Sequence, residues 1–263
     1  MSADAAQQAN AHFQAGEYRQ SREAALAALA TAPQDVELLL LAGRAGVELD
    51  APDATEQLRR ATELAPDNAE AWHHLGEALA TEGSMDEAND AFRRAVELNP
   101  ADQVALSHLG HTSAATGRQE EAVDYLNRAA QNVRGASNAA ISLVDMYRTS
   151  GQYEEALVQA QRIAEAEPED VVAALDVAEL TLQVGRFDEA LAAFQRVREL
   201  DDTPGGEAST EVLALLEAQA QGAAPGEGTS TREELEAALA ASLSEYRRMH
   251  VDDRRLASED LLG

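Results

Sequence analysis

The sequence predicts an all-α chain: a right-handed solenoid of helical hairpins, closed by a capping helix and followed by a tethered amphipathic helix. Three observations carry this. Glycines recur at Gly83, Gly117, Gly151 and Gly185, each 34 residues after the last. Alanines Ala88, Ala122, Ala156 and Ala190 keep the same step. Pro66, Pro100 and Pro168 fall on it too, with Arg134 and Asp202 in the remaining slots. Three residue types on one period mark a repeated supersecondary unit. Aromatic residues make up only 4% of the 263-residue chain, which suits thin layers of Ala and Leu better than one thick core.

The best-marked unit shows why it forms. Residues 71–81 read as a first helix, with Trp72, Leu75 and Leu79 on one stripe. Gly83 ends that helix, because the turn requires a residue tolerant of positive φ. Residues 86–98 read as the second helix, with Ala88, Phe92, Ala95 and Val96 on its apolar side. The small Ala88 lets the two helices approach. Pro100 closes the unit and sets up the next. Neither helix can bury its stripe alone, so neighbouring units must stack.

Trp72, Leu75, Gly76, Ala88, Phe92, Ala95 and Pro100 resemble the tetratricopeptide repeat pattern closely. Six blocks fit it over residues 1–202, the first of them degenerate, with Gly16, Tyr18 and Pro33 in register. The second block carries Gly43, Ala54, Leu58, Ala61 and Pro66 and is one residue short near Asp50 to Pro52. The fourth holds Leu109, Gly110, Leu126 and Ala129; the fifth, Leu143, Tyr147 and Tyr153; the last, Val177, Phe187 and Phe194. Beyond the array, residues 203–222 read as a capping helix and 223–230 as a flexible linker. Residues 231–263 form an amphipathic helix and tail, opened by the capping box of Ser230 and Glu233, with Leu235, Leu239, Leu243 and Tyr246 on the docking stripe. This helix either caps the array or docks in a groove, its own or a neighbour's.

The resemblance implies that the first helix of each unit lines a concave groove. Carried onto this chain, the inward positions are Asn10 and Phe13; Leu40, Arg44 and Val47; His73 and Glu77; Ser107 and His111; Ile141, Asp145 and Arg148; and Leu175, Glu179 and Leu182. The expectation is a groove with apolar ends and a polar middle, suited to an amphipathic peptide. One subgroup of the family grips acidic carboxyl termini with Lys, Arg and Asn; with Arg44 and Arg148 alone well placed, that use is not expected here.

Asp and Glu total 48 against 20 basic residues, a net charge of −28, and every basic residue is Arg. Such a field repels nucleic acid and anionic membranes and favours basic partners. It equally fits a protein working in high salt, and the absence of Lys leans that way. No apolar run is long enough to span a bilayer, and residues 1–10 lack the marks of a secretory signal, so a cytoplasmic protein is expected. With no cysteine, disulfides and thiolate sites are excluded.

His73, His74, His108 and His111 fall on the first helices of adjacent units, with His74 and His108 in equivalent positions. Their spacing matches no tight ligand motif, and neither a metal nor any other cofactor is expected. Phosphate loops, nucleophile elbows and metalloprotease motifs are missing, and acid pairs such as Glu120 and Glu121 are sequence neighbours that point to different faces. No catalytic residue is expected. The function expected is a protein-binding adaptor, gated by its own C-terminal helix; the alternatives are a self-assembling scaffold and a metal-responsive groove.

Overall fold

The computed structural model describes residues 2–131 and 138–200. Among these, twelve helices pair into six hairpins and no strand occurs. They are α1 (Ser2–Gln14) with α2 (Tyr18–Leu29), α3 (Val36–Val47) with α4 (Ala54–Leu64), and α5 (Ala69–Thr81) with α6 (Met85–Leu98). Then follow α7 (Gln103–Ala115) with α8 (Gln119–Ala130), α9 (Asn138–Thr149) with α10 (Tyr153–Ala166), and α11 (Val171–Gln183) with α12 (Phe187–Leu200). The described helices fall into two compact units, α1–α8 in the first and α9–α12 in the second. Within each, every second helix packs on its own partner and on the first helix of the next hairpin, which is the stacked-hairpin arrangement of a solenoid. The expected cap at 203–222 and the docking residues Leu235, Leu239, Leu243 and Tyr246 lie outside the described residues. No described helix is long and apolar enough to cross a membrane.

The helix boundaries follow from local chemistry. Helix α5 begins two residues earlier than the expected 71 because Asn68 caps it, its Oδ1 accepting from the Ala71 N–H at 3.1 Å. Asp35, Asp102 and Asp170 cap α3, α7 and α11 in the same way. At the hairpin turn Gly83 has φ +79°; its N–H donates to the Ala80 carbonyl and that of Ser84 to Leu79, both at 2.9 Å. This closes the helix with a residue in the left-handed region. In the short second hairpin Asp50 occupies that position at φ +51°, and Asp50 and Ala51 donate to Val47 and Gly46 at 3.1 and 2.8 Å. The lost residue falls between this turn and α4, leaving the helix closure intact. Asp is one of the few side chains that tolerate the left-handed region.

Close helix approach builds the cores. Phe92 of α6 is fully buried against Gly76 of α5, where an added Cβ would stand 2.7 Å from its ring. In the second unit Leu175, Ala178 and Leu182 of α11 pack on Ala190, Phe194 and Val197 of α12. Each such Leu or Phe contributes about 1.5–3 kcal/mol by leaving water. Trp72 departs from the expected stripe: it is half-buried, and its indole N–H donates to the Pro66 carbonyl at 3.0 Å. Ala71, Leu75, Ala78 and Leu79 form the buried side of α5 instead.

Polar groups tie neighbouring hairpins together. Asn89 of α6, fully buried, donates to Thr112 Oγ1 at 3.1 Å and Ser113 Oγ at 2.8 Å on α7, and its own oxygen accepts from Arg93. Arginines bridge hairpins through Arg59 to Glu87 and Arg93 to Glu121, each at 3.0 Å, and Arg22 to Asp53. The planar guanidinium suits such spans, which accounts for part of the arginine use.

Candidate functional site

In the first unit, side chains from the first helices α1, α3, α5 and α7 meet in a continuous chain of contacts. Phe13 of α1 is half-buried, its ring edge-on to Tyr18 at 5.3 Å. The Arg44 guanidinium of α3 lies 4.5 Å from the Phe13 ring centre and donates to Glu70 of α5 at 3.1 Å. His74, one turn on, lies 3.7 Å from Glu70 and donates through Nδ1 to Glu77 Oε2 at 2.6 Å. His73 donates through Nε2 to Glu77 Oε1 at 3.1 Å, and His108 Nε2 of α7 stands 3.8 Å from that oxygen.

An aromatic floor supports this cluster. The His108 ring stacks on Phe92 with 5.0 Å between centres and 10° between planes. His73 meets Phe92 and His108 edge-on at 5.8 and 5.5 Å. Donor atoms of His73, Glu77 and His108 all lie within 4.8 Å of one another.

Charge and burial set the protonation states. Burial alone would raise the Glu77 pKa, but the bonds from His73 and His74 outweigh it and hold the carboxylate well below its usual range. Burial likewise opposes charge on His74, yet its bonds to Glu70 and Glu77 raise it above the ordinary imidazole value. For His108 burial dominates and pushes the ring down to about 4, against the pull of Glu77. The bond from His74 leads the influences that lower Glu70.

The second unit carries a different arrangement. Arg148 of α9 donates to Asp176 of α11 at 2.7 Å and lies 3.9 Å from Glu179 and 3.7 Å from Asp145. The side chains of Arg148, Asp176 and Glu179 are only 21, 17 and 13% exposed.

The expected inward residues divide by burial. Asn10, His111 and Asp145 are exposed, and Phe13, Arg44, Val47, Glu77, Ser107, Ile141, Arg148 and Glu179 are half-buried. Leu40, His73, Leu175 and Leu182 are buried, at 7, 8, 2 and 7% exposure. The three leucines were expected as apolar contacts for a partner; they pack in the core instead. Glu70, His74, Phe92, His108 and Asp176 belong to these clusters without having been expected as inward positions. The signal for them was available: His74, His108 and Asp176 share one register of the repeat.

Sequence models of the tetratricopeptide repeat match the chain over residues 7–54, 48–103 and 86–139 in one form and 147–218 in another. No curated protein matches it. Among solved structures, that of MamA is similar at 26% identity and a TM-score of 0.57, over 61% of this chain and 94% of that one. PilF of Pseudomonas aeruginosa is similar at 18% identity and a TM-score of 0.61, over 84% of this chain and 97% of that one. YrrB, described as a TPR protein with an unusual peptide-binding site, is similar at 18% identity and a TM-score of 0.59, over 76% of this chain and 99% of that one. With matched repeats covering more than half of its length and six hairpins of the corresponding build, the chain belongs to the tetratricopeptide repeat family.

Proposed function

We propose that the chain is a non-catalytic adaptor that holds a peptide or helix of another protein on the first-helix faces of its hairpins. Tetratricopeptide arrays hold protein partners in general and are generally not catalysts. The observation that carries the finer reading is the linked run of accessible side chains Phe13, Arg44, Glu70, His74 and Glu77 across α1, α3 and α5. An aromatic face, a guanidinium and carboxylates in one line suit an extended or helical segment with alternating character. The peptide-binding site ascribed to YrrB on the same fold supports it. A net charge of −28 favours a basic or amphipathic segment.

Because Leu40, Leu175 and Leu182 are buried, the proposed contact rests on Asn10, Phe13, Arg44, Val47, Glu77, Ser107 and His111 in the first unit. In the second it rests on Ile141, Asp145, Arg148 and Glu179. Residues 231–263 compete for such a face and gate it.

Peptides selected on the immobilised full chain test this. Phe13→Ala and Arg44→Glu should each weaken the best binder about tenfold or more, the loss of roughly 1.4 kcal/mol of contact energy. Unchanged affinity in both variants overturns the assignment. A chain ended at Gly222 should bind more tightly if the tail gates the face. Self-assembly gains if no peptide is selected and the scattering mass rises with concentration.

A further inference from the structure

We propose that His73, Glu77 and His108 form a site for a divalent metal of the zinc class on α5 and α7. Two imidazoles and one carboxylate are a donor set that zinc accepts with a fourth position left for water or an incoming group. Ligand atoms on a tetrahedral zinc, with bonds of about 2.0–2.1 Å, stand roughly 3.3 Å apart. Here Glu77 Oε1 is 3.1 Å from His73 Nε2 and 3.8 Å from His108 Nε2, so one of the three edges already has the required length and a second must shorten. The remaining edge, between the histidines, lies within 4.8 Å and shortens as the ion draws the two nitrogens in.

The surroundings are those of a supported site. His74 holds the other Glu77 oxygen at 2.6 Å and so orients the carboxylate. His74 is in turn backed by Glu70, which Arg44 engages. Phe92 fixes the plane of His108 from below. His73 is 92% buried by its 8% exposure, and its Nδ1 has no hydrogen-bond partner. When Nε2 ligates, the proton resides on that Nδ1, where no oxygen accepts it. The missing acceptor keeps the affinity about 10–100-fold below that of a site with a complete outer shell.

Repeat geometry explains how the site arises. His73 and Glu77 are one turn apart on α5 and share a face. His108, from the next hairpin, reaches the same point because α7 repeats the position of His74 one period later. The site stands apart from the adaptor reading: a chain that takes zinc and no peptide keeps this inference and loses that one.

The test uses the full chain with zinc chloride and cobalt chloride as probes, in a large excess of magnesium to saturate weak acidic sites. Native mass spectrometry should retain one zinc per chain, and cobalt should give the intense visible bands of tetrahedral coordination. His73→Gln and His108→Gln should each weaken zinc more than about tenfold and abolish those bands, whereas His111→Gln and His12→Gln leave both unchanged. Should the ligand variants lose helical circular dichroism, footprinting of the unaltered chain with an imidazole-modifying reagent replaces them. Zinc should then protect His73 and His108 and spare His12. Octahedral cobalt, equal protection of all histidines, or zinc retention in folded His73→Gln and His108→Gln chains overturns the proposal.

Discussion

In the first unit Glu77 of α5 is met by the imidazoles of His73, His74 and His108; in the second, Glu179 of α11, with Asp145 and Asp176, is met by the guanidinium of Arg148. The two places share a register. Glu77 and Glu179 are three periods of 34 apart, and so are His74 and Asp176. The hairpin repeat thus decides where a polar side chain stands, and the individual residue decides what it does there. A guanidinium keeps its charge at every pH the fold survives and cannot ligate a metal. Imidazoles change charge near neutrality and can ligate.

The largest effect tests the shared scaffold. Phe92 and Phe194 are three periods apart and both fully buried, so either changed to Ala should destabilise by about 3–5 kcal/mol in urea unfolding. Only Phe92→Ala should also disturb the imidazoles, seen as shifted histidine ring signals in NMR. A loss below about 1 kcal/mol for either would mean the two cores are not equivalent.

Next comes the response to acid in chelator-treated protein. His108 titrates at about 4 in the folded chain against 6.5 as a free group, so between these values the unfolded state holds more protons. Stability therefore falls as pH drops from 6.5 towards 4, by roughly 2 kcal/mol, the partial solvation of the ring screening the rest. Glu77, held low, adds a loss in the same direction as pH falls below its ordinary 4.5. His74, raised, works the other way: its contribution is complete below 6.5 and fades as pH rises above it. His108→Gln should flatten the fall between pH 6.5 and 4.5, and an unaltered slope in that variant would remove His108 as its source.

A smaller effect is expected at the guanidinium. Arg148→Met removes the guanidinium from Asp176 and Glu179, at 17 and 13% side-chain exposure, and should destabilise by about 1–2 kcal/mol, between exposed and fully buried pairs. Added salt should change this difference only slightly if burial protects the pair. The smallest effect has the opposite sign. Asp50→Gly should raise the unfolding free energy by at most about 1 kcal/mol, since glycine adopts φ +51° without strain but loses more chain entropy on folding.

The hairpins were readable because the period is written in residues that act locally. Gly83 and its equivalents can end a helix by themselves, and the missing residue near Asp50 showed in the spacing before the turn was seen. The caps Asp35, Asn68, Asp102 and Asp170 are equally local, each two residues after a proline. The site was harder. His73 and Glu77 are visibly one turn apart, but the approach of His108 depends on how α7 lies on α5 and on the ring of Phe92 beneath it. No one-dimensional spacing contains that distance. Leu40, Leu175 and Leu182 failed as groove residues for a related reason: a register position names a direction, whereas burial depends on the thickness of what packs around it.

The buried amide of Asn89 bears on how far these repeats are interchangeable. Its partners Thr112 and Ser113 belong to the following hairpin, whereas one period earlier the same positions hold Thr55, Ala78 and Leu79. A second copy of the third hairpin inserted after α6, with Ala78 and Leu79 at those positions, would present no hydroxyl to that amide, leaving a desolvated donor at about 1–3 kcal/mol. The third and fourth hairpins are therefore a matched pair in a chain of otherwise similar parts. Duplicating the third hairpin or averaging these repeats costs least where the pair travels together.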